Sequence, residues 1–207
     1  MTAPSRPAGL FTIGYSNHEI EEFVALLREH EIEAIADVRS SPYSRFTPQY
    51  NRESLANSLR RVGVRYAFLG RELGARRDES ECYVEGKARY DLIARAPLFL
   101  DGLDRVQRGV ASFRVALLCA ERDPLTCHRT ILVCRHLKQD IGPIAHILED
   151  GELESHDDAE TRLLTLCKLP AQDLFHTRDE LVEQAYEIQG ERIAYVATAN
   201  AEELSQP

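Results

Sequence analysis

The chain has 207 residues, of which 34 are acidic and 25 basic, and its formal net charge is −9 at pH 7. This length suits one domain that can bury a hydrophobic core without disulfides or a metal ion. A composition of 43% hydrophobic and 29% charged residues is that of a soluble globular protein. It excludes collagen-like chains, long disordered chains and small disulfide scaffolds.

The N-terminal residues show no secretory signal, and no run of about 18 apolar residues predicts a membrane span. The five cysteines are an odd number in a chain without an export signal, which favours reduced thiols over a disulfide framework. We therefore expect a cytoplasmic protein that does not act at a membrane.

Charge is distributed unevenly along the sequence. Residues 39–77 contain nine arginines and two glutamates, a net charge of +7, whereas residues 149–207 contain fifteen acids and four bases, a net charge of −11. The basic segment points to an anionic small molecule or a nucleic acid as the partner. The alternative is that the basic and acidic segments pack against each other or face solvent.

Short apolar runs alternate with amphipathic stretches, which is typical of βαβ units around a parallel sheet. We expect a single three-layer, Rossmann-like α/β domain over residues 9–155 with about five mostly parallel strands, and a helical C-terminal extension over residues 156–199 packed on it. In chain order, the predicted strands are residues 10–13, 34–38, 64–69, 114–119 and 144–148. The fourth is almost entirely apolar, which suits a central strand buried on both faces.

Helix starts are predicted from capping boxes, in which a hydroxyl residue precedes a glutamate by three positions. Ser16 and Glu19 have this spacing before the first helix, and Thr177 and Glu180 have it before the last. Residues 70–86 show no periodicity and predict a long loop, a feature that is usually functional or mobile in a compact domain.

Ligands of open parallel sheets bind beyond the carboxyl ends of the strands. The first four predicted strands are each followed by a segment rich in hydroxyl, arginine or thiol groups. These segments are residues 14–18, 37–45, 70–74 and 119–129. Because they meet at one edge of the sheet, we expect a binding or catalytic crevice there.

The segment after the fourth strand carries the most reactive groups, which are Cys119, Glu121, Cys127, His128 and Arg129. Such groups supply a nucleophile, an acid or base and an anion clamp. The competing interpretation is structural. Cys127 lies at helical spacing from apolar positions of a helix predicted over about residues 125–138, Cys119 ends an apolar strand, and buried free cysteines are usually inert.

The residue spacing argues against three more specific motifs. A phosphatase-type loop needs an arginine six positions after its cysteine, but Leu125 and Val133 stand there. Neither of the glycine-rich nucleotide motifs occurs. A zinc cluster is suggested by Cys119, Cys127, His128, Cys134 and His136, but no Cys-x-x-Cys pair occurs and helical spacing turns the last two to different sides. We therefore expect no metal and no other cofactor.

Four ordered motifs resemble the family named domain of unknown function 488. They are residues 12–17, residues 37–39 with 42 and 44–46, residues 68–74, and residues 119–121 with 124 and 127–129. The resemblance covers about residues 9–150, and it implies an α/β domain whose motif residues line a shared pocket. It implies no reaction. The matching positions are Tyr15, Ser16, Asn17, Asp37, Arg39, Arg45, Arg71, Cys119, Glu121, Cys127, His128 and Arg129.

The leading hypothesis is an enzyme acting on an anionic, phosphate-bearing substrate, such as a nucleotide or a nucleic-acid component. Glu121 is the expected general acid or base with His128 assisting, and Cys127 or Cys119 is a less favoured nucleophile. Guanidinium groups match phosphate bidentately, so the expected anion clamp is Arg39, Arg45, Arg71 and Arg129. The expected substrate-orienting residues are Tyr15, Ser16, Asn17 and Asp37.

Two alternatives stay open. One is a non-catalytic nucleic-acid-binding or regulatory module, which would use the arginines of residues 39–77 and nearby aromatic rings. The other is a thiol-dependent redox or sulfur-transfer protein that uses Cys119 and Cys127. The sequence predicts no oligomeric state.

Overall fold

The structure is a computed structural model that describes residues 9–197. Its strands are β1 (Gly9–Gly14), β2 (Ala34–Asp37), β3 (Arg65–Phe68), β4 (Tyr83–Val84), β5 (Lys87–Ala88), β6 (Arg114–Cys119), β7 (Ile144–Ile147) and β8 (Leu153–Ser155). Six of them form a sheet in the order β3-β2-β6-β1-β7-β8, in which only β8 runs antiparallel to its neighbour. β4 and β5 form a separate hairpin.

The α-helices of the described residues are α1 (Ile20–Glu29), α2 (Arg52–Arg61), α3 (Gly70–Leu73), α4 (Tyr90–Ile93), α5 (Pro97–Val110), α6 (Arg135–Ile141), α7 (His156–Leu166) and α8 (Arg178–Ile193). Short 3₁₀ helices occupy Pro48–Tyr50, Ser80–Cys82 and Pro124–Thr126, and a π-helix occupies Arg129–Cys134. No helix within residues 9–197 is both long and apolar enough to cross a membrane.

The five predicted strands are all present, and the expected three-layer α/β fold is confirmed. β8 is an additional edge strand that the sequence does not predict, because three residues are too few to establish an alternating pattern. α7 and α8 lie in the predicted C-terminal extension, whose expected end at residue 199 is outside the described residues.

Local details depart from the sequence predictions in three places. The first helix is capped by Glu19 and Glu22, not by Ser16, whose backbone is in the left-handed region with φ of 44°. Residues 70–86 contain α3, a 3₁₀ turn and part of the β4–β5 hairpin, so they are not one long loop. The helix predicted over residues 125–138 is a 3₁₀ turn, a π-helix and α6 in succession. The second capping box, of Thr177 and Glu180, is confirmed.

The sheet separates two hydrophobic cores, as an alternating strand requires. In β6, Val115 and Leu117 face the core built with α5, α6, α7 and α8, whereas Ala116 and Leu118 face the core built with α1 and α2. β6 therefore has helices on both faces and a strand on each side, which confirms its predicted central position.

The strand order creates a switch point between β1 and β6. From β1 the chain continues through α1 to β2 on one side of the sheet, and from β6 it continues to β7 on the other side. The last pairs in register, Gly14 with Cys119 and Asp37 with Leu118, bring three of the predicted site segments to one edge. Ligand crevices of open α/β sheets form at such a point.

Among the described residues, the acidic C-terminal helices form ion pairs with α6 and not with the basic segment, residues 39–77. Arg135 pairs with Glu183, and Lys138 pairs with Glu160, which joins α6 to α8 and α7. Within the described part of the chain, no ion pair joins residues 39–77 to the acidic residues after 148.

Candidate active site

A cavity of about 350 Å³ lies at the carboxyl edge of the central strands; we call it the edge cavity. Its volume is in the range of small-molecule sites. The sequence-predicted site residues on its wall are Tyr15, Arg39, Cys119, Glu121 and His128. The sheet therefore gathers residues from the ends of β1, β2 and β6 around one space.

Two glycines allow the segments of this edge to touch. A Cβ atom on Gly14 would lie 1.9 Å from the carbonyl oxygen of Glu121, and one on Gly70 would lie 1.9 Å from the carbonyl oxygen of Arg39. Because no side chain fits at either position, the segment after β1 packs directly on the Glu121 turn, and the start of α3 packs on the segment after β2.

Two thiols and an imidazole converge at the wall of the cavity; we call Cys119, Cys127 and His128 the Cys–His cluster. Nδ1 of His128 lies 3.8 Å from Sγ of Cys119 and 4.0 Å from Sγ of Cys127. All three ligand-type atoms lie within 4.8 Å of one another. Glu121 adjoins the cluster, with Oε2 at 3.1 Å from Sγ of Cys127.

The imidazole of His128 is oriented by a backbone carbonyl of the residue that directly follows β2. Its Nε2 lies 2.9 Å from the carbonyl oxygen of Val38. Since a carbonyl can only accept, Nε2 carries the proton and donates it, which turns Nδ1 toward the two sulfur atoms.

Arg129 supports the cluster from inside the protein, because its side chain is fully buried. Its Nη1 donates to the carbonyl of Glu121 at 2.7 Å, and its Nη2 donates to the carbonyl of Arg122 at 3.2 Å. Its Nε donates to Oγ1 of Thr12 at 3.4 Å, and its backbone N–H donates to Sγ of Cys127 at 3.4 Å. The guanidinium thus fixes the turn after β6.

The pKa values of the clustered groups are shifted in different directions by burial, hydrogen bonds and neighbouring charges. Burial raises the pKa of the Cys127 thiol, but the hydrogen bond from Cys119 and the charge of Arg129 outweigh burial and lower it to about 6. Burial and the neighbouring Cys127 raise the pKa of Cys119. Burial lowers the pKa of His128, yet its hydrogen bond with Cys127 produces a net rise. Hydrogen bonds from both thiols outweigh burial and lower the pKa of Glu121.

Arg39 forms a second buried polar group on the wall. Its Nε and Nη2 bond the two carboxylate oxygens of Asp37 at 2.8 and 2.6 Å, and Nη2 also donates to the carbonyl of Tyr50. The hydroxyl of Tyr66 donates to Asp37 at 2.7 Å. The guanidinium lies over the ring of Tyr15 at 5.3 Å, and that ring stacks on Tyr50. Asp37 therefore holds Arg39 in place.

A family model described as "Domain of unknown function DUF488" matches residues 19–135, which is more than half of the chain. The chain belongs to the DUF488 family. No curated protein matches it, and no solved structure matches it. The DUF488 match contains β2, β6 and the whole Cys–His cluster, whereas β1 with Tyr15 and the C-terminal helices lie outside it.

Other residues that the DUF488 motifs single out lie apart from the edge cavity. The backbone N–H of Ser16 donates to the carbonyl of Ala120, but neither Ser16 nor the exposed Asn17 lines the cavity. Arg45 is exposed and lies over the ring of Phe46. Arg71 is also exposed and lies off the wall.

The wall also contains residues that the sequence did not single out as site residues. Three of them carry hydroxyls, namely Ser40, Ser41 and Thr126, and Arg76 adds a guanidinium. Aromatic rings come from Tyr43, Tyr90 and Tyr195. Arg76 belongs to the basic segment noted from composition, but nothing local in the sequence links Tyr195, 76 residues beyond Cys119, to this edge.

The π-helix Arg129–Cys134 directly follows the Cys–His cluster. All six of its residues are buried. π-Helical turns are rare and are found frequently at functional sites. The unusual backbone therefore coincides with the segment in which the reactive side chains lie.

Proposed function

We propose that this chain is an enzyme that acts on an anionic, phosphate-bearing small molecule, such as a nucleotide or a component of a nucleic acid. One observation supports the proposal above the others. A single cavity at the switch point of the sheet is lined both by guanidinium groups and by a carboxylate beside a histidine. The first can bind an anion, and the second can move a proton.

The anion would bind to Arg39 and Arg76. Within residues 9–197, Nη1 of Arg39 has no hydrogen-bond partner, although its other donors hold Asp37 and Tyr50. Arg76 is exposed, and in the described part of the chain no carboxylate pairs with it. The hydroxyl of Ser40 on the same wall accepts from the backbone N–H of Arg76, which leaves its proton for a phosphate oxygen.

Glu121 is the proposed proton-transfer residue, with His128 beside it. Glu121 is exposed on the cavity side while its neighbours Cys119 and His128 are buried. A carboxylate at this position meets both the ligand and any water bound with it, so it can accept a proton from either.

Aromatic rings favour a nucleotide over inorganic phosphate as the natural ligand. Tyr43 and Tyr195 both line the edge cavity, and a base can stack on such rings. The five cysteines of the chain are all free thiols, and we propose that the protein works in the cytoplasm, where thiols stay reduced.

Ligand binding tests the anion site directly. Nucleoside monophosphates, the matching unphosphorylated nucleosides and inorganic phosphate are titrated into wild-type protein, Arg76→Ala and the matched control Arg45→Ala by calorimetry. Loss of one charged hydrogen bond is expected to weaken phosphorylated ligands about 10- to 100-fold in Arg76→Ala. Arg45→Ala should bind like wild type. Equal affinities of all three proteins would contradict the anion site.

Turnover separates the enzyme from a binding module. In the proposed enzyme, Glu121→Gln retains ligand binding and loses turnover. A non-catalytic module would instead bind oligonucleotides with a steep salt dependence and show no turnover in any variant.

A thiol-dependent reaction is the second candidate function, and the observation that favours it is the proximity of Cys119 to Cys127. It requires that alkylation of these two cysteines abolishes activity while alkylation of the remaining three does not. Both thiols are buried, and of the two it is Cys119 that lines the cavity, so we expect a reagent in the cavity to modify Cys119 first.

A further inference from the structure

We propose that Cys119, Cys127 and His128 bind a divalent metal ion of the zinc type, with a fourth coordination position open to the edge cavity. The proposal deepens the proposed function and rests on it for the role of Glu121. Metal binding itself does not depend on which substrate the enzyme uses.

The spacing of the ligand atoms fits one ion. Zn²⁺ binds cysteine sulfur at about 2.3 Å and histidine nitrogen at about 2.0 Å, so the ligand atoms of a tetrahedral site lie roughly 3.5 to 3.8 Å apart. Nδ1 of His128 lies 3.8 Å from Sγ of Cys119 and 4.0 Å from Sγ of Cys127. The third edge also falls within the 4.8 Å that encloses the cluster. To reach tetrahedral geometry, the two nitrogen–sulfur edges need to shorten by a few tenths of an ångström and the sulfur–sulfur edge by at most about 1 Å.

The residues behind the cluster have the arrangement of an outer coordination shell. A histidine that binds a metal through one nitrogen usually donates the other N–H to a carbonyl or carboxylate. His128 does so, through Nε2 to the carbonyl of Val38 at 2.9 Å. The backbone N–H of Arg129 points at Sγ of Cys127, as amides do toward ligating sulfurs. These contacts fix the positions of two of the three proposed ligands, His128 and Cys127.

The charge balance also fits a cation. A bound ion would displace the thiol protons, and the two thiolates beside the Glu121 carboxylate would then place three negative charges close together, of which the buried guanidinium of Arg129 compensates one. A divalent ion bound by Cys119 and Cys127 would compensate the other two.

The open side of the cluster points to a catalytic site rather than a structural one. Structural zinc is held by four protein ligands, whereas catalytic zinc has three and keeps one position for water or substrate. Cys119 and His128 line the edge cavity, and Glu121 lies next to the position where a bound water would sit. That water would lose one proton to a carboxylate oxygen of Glu121, and the hydroxide would stay on the metal. His128 then serves as a ligand, and Glu121 keeps its proton-transfer role.

The test uses full-length protein without a polyhistidine tag. Metal is removed with a chelator, and Zn²⁺ or Co²⁺ alone is titrated back without any substrate. We expect one equivalent to bind, with thiolate-to-cobalt charge-transfer bands and the visible bands of tetrahedral Co²⁺. Substitution of outer-shell groups typically weakens metal binding 10- to 100-fold, so Cys119→Ser, Cys127→Ser and His128→Asn should each weaken it by more than about 100-fold.

The matched control is Cys167→Ser. Cys167 is a buried thiol that does not belong to the Cys–His cluster, and its Sγ donates to the carbonyl of Ala185, which a serine hydroxyl can also do. This variant should bind the metal like wild type. Should a cluster variant fail to fold, the wild-type cobalt spectrum still decides. Absence of the tetrahedral thiolate bands, or equal binding by all variants, would overturn the metal site and leave the phosphate-binding result unaffected.

Discussion

Nε2 of His146 lies 3.0 Å from Nδ1 of His156, so β7 and α7 are joined by two directly bonded imidazoles inside the protein. The hydroxyl of Tyr186 bonds both Nε2 of His156 and Oε1 of Glu160 at 3.0 Å. Since the carboxylate of Glu160 accepts, the tyrosine donates to it and accepts from His156. His146 then donates to His156 and accepts at Nδ1 from the hydroxyl of Thr12 at 2.8 Å.

This bonding order needs both histidines neutral, and their pKa values agree with it. Burial lowers the pKa of His146 well below its ordinary range, with repulsion from His156 adding to the effect. Burial also lowers the pKa of His156. Below about pH 6.5 the unfolded histidines bind protons that the folded ones do not. We therefore expect stability to fall as the pH is lowered from about 7 to about 5, by up to about 1.4 kcal/mol per pH unit for each histidine.

Urea unfolding across this pH range measures the effect. His156→Gln removes one of the two groups and should flatten the pH dependence. His176→Gln is the control of opposite sign, because the pKa of that exposed histidine is raised by its hydrogen bond with Asp173. Its removal should leave the slope unchanged or steeper. A slope that is the same in wild type and His156→Gln would show that the histidine pair does not govern the acid response.

Arg129 connects this series of hydrogen bonds to the candidate site, since its Nε donates to Oγ1 of Thr12. Its other donors satisfy the carbonyls of Glu121 and Arg122, which Arg129→Met would leave without partners. A buried acceptor that loses its donor typically costs about 1 to 3 kcal/mol, and here two carbonyls lose theirs. We expect Arg129→Met to lose that much unfolding free energy in urea, whereas the exposed Arg45→Met should change by less than about 0.5 kcal/mol. A loss below about 1 kcal/mol would mean that Arg129 does not hold the turn.

The reactive side chains of the site are easier to predict from the sequence than the backbone and tertiary packing that surround them. Cys119, Cys127 and His128 meet because they flank one short turn between β6 and the next helical segment, a local relationship that spacing and strand ends reveal. The π-helix is not predictable in this way. All six residues from Arg129 to Cys134 are buried, so no polar face marks the period of the backbone. Arg76 and Tyr195 reach the cavity through tertiary packing, which leaves no local pattern.

Gly14 is the position at which the first strand must lack a side chain. The Cβ of Gly14→Ala would meet the carbonyl oxygen of Glu121 at 1.9 Å, and a backbone atom cannot move aside cheaply. We expect a loss of about 1 to 3 kcal/mol in unfolding free energy, together with weaker binding of phosphorylated ligands, because the Glu121 turn must shift. Gly9→Ala is the matched control at the other end of β1, since its Cβ would lie 3.4 Å from a side-chain atom of Phe11. Equal stability of the two variants would argue against direct packing of the turn on β1.

Tyr195 connects the C-terminal segment to the edge cavity. Its ring lies 4.7 Å from the guanidinium of Arg76, and both residues line the edge cavity. Tyr195→Ala removes a stacking surface but leaves the backbone bond from Ala88 to the carbonyl of residue 195 intact. Loss of one stacked ring is expected to weaken nucleotide binding by about 1 to 3 kcal/mol while the affinity for inorganic phosphate changes little.

Val196→Ala is the matched control for this variant, since Val196 is the exposed next residue and is not on the cavity wall. Calorimetric titration of a nucleoside monophosphate and of inorganic phosphate into both variants separates stacking from charge. If Tyr195→Ala weakens both ligands equally, the ring acts by positioning Arg76. If it weakens neither, Tyr195 takes no part in the site, and the exposed ring of Tyr43 is the surface on which a base would stack.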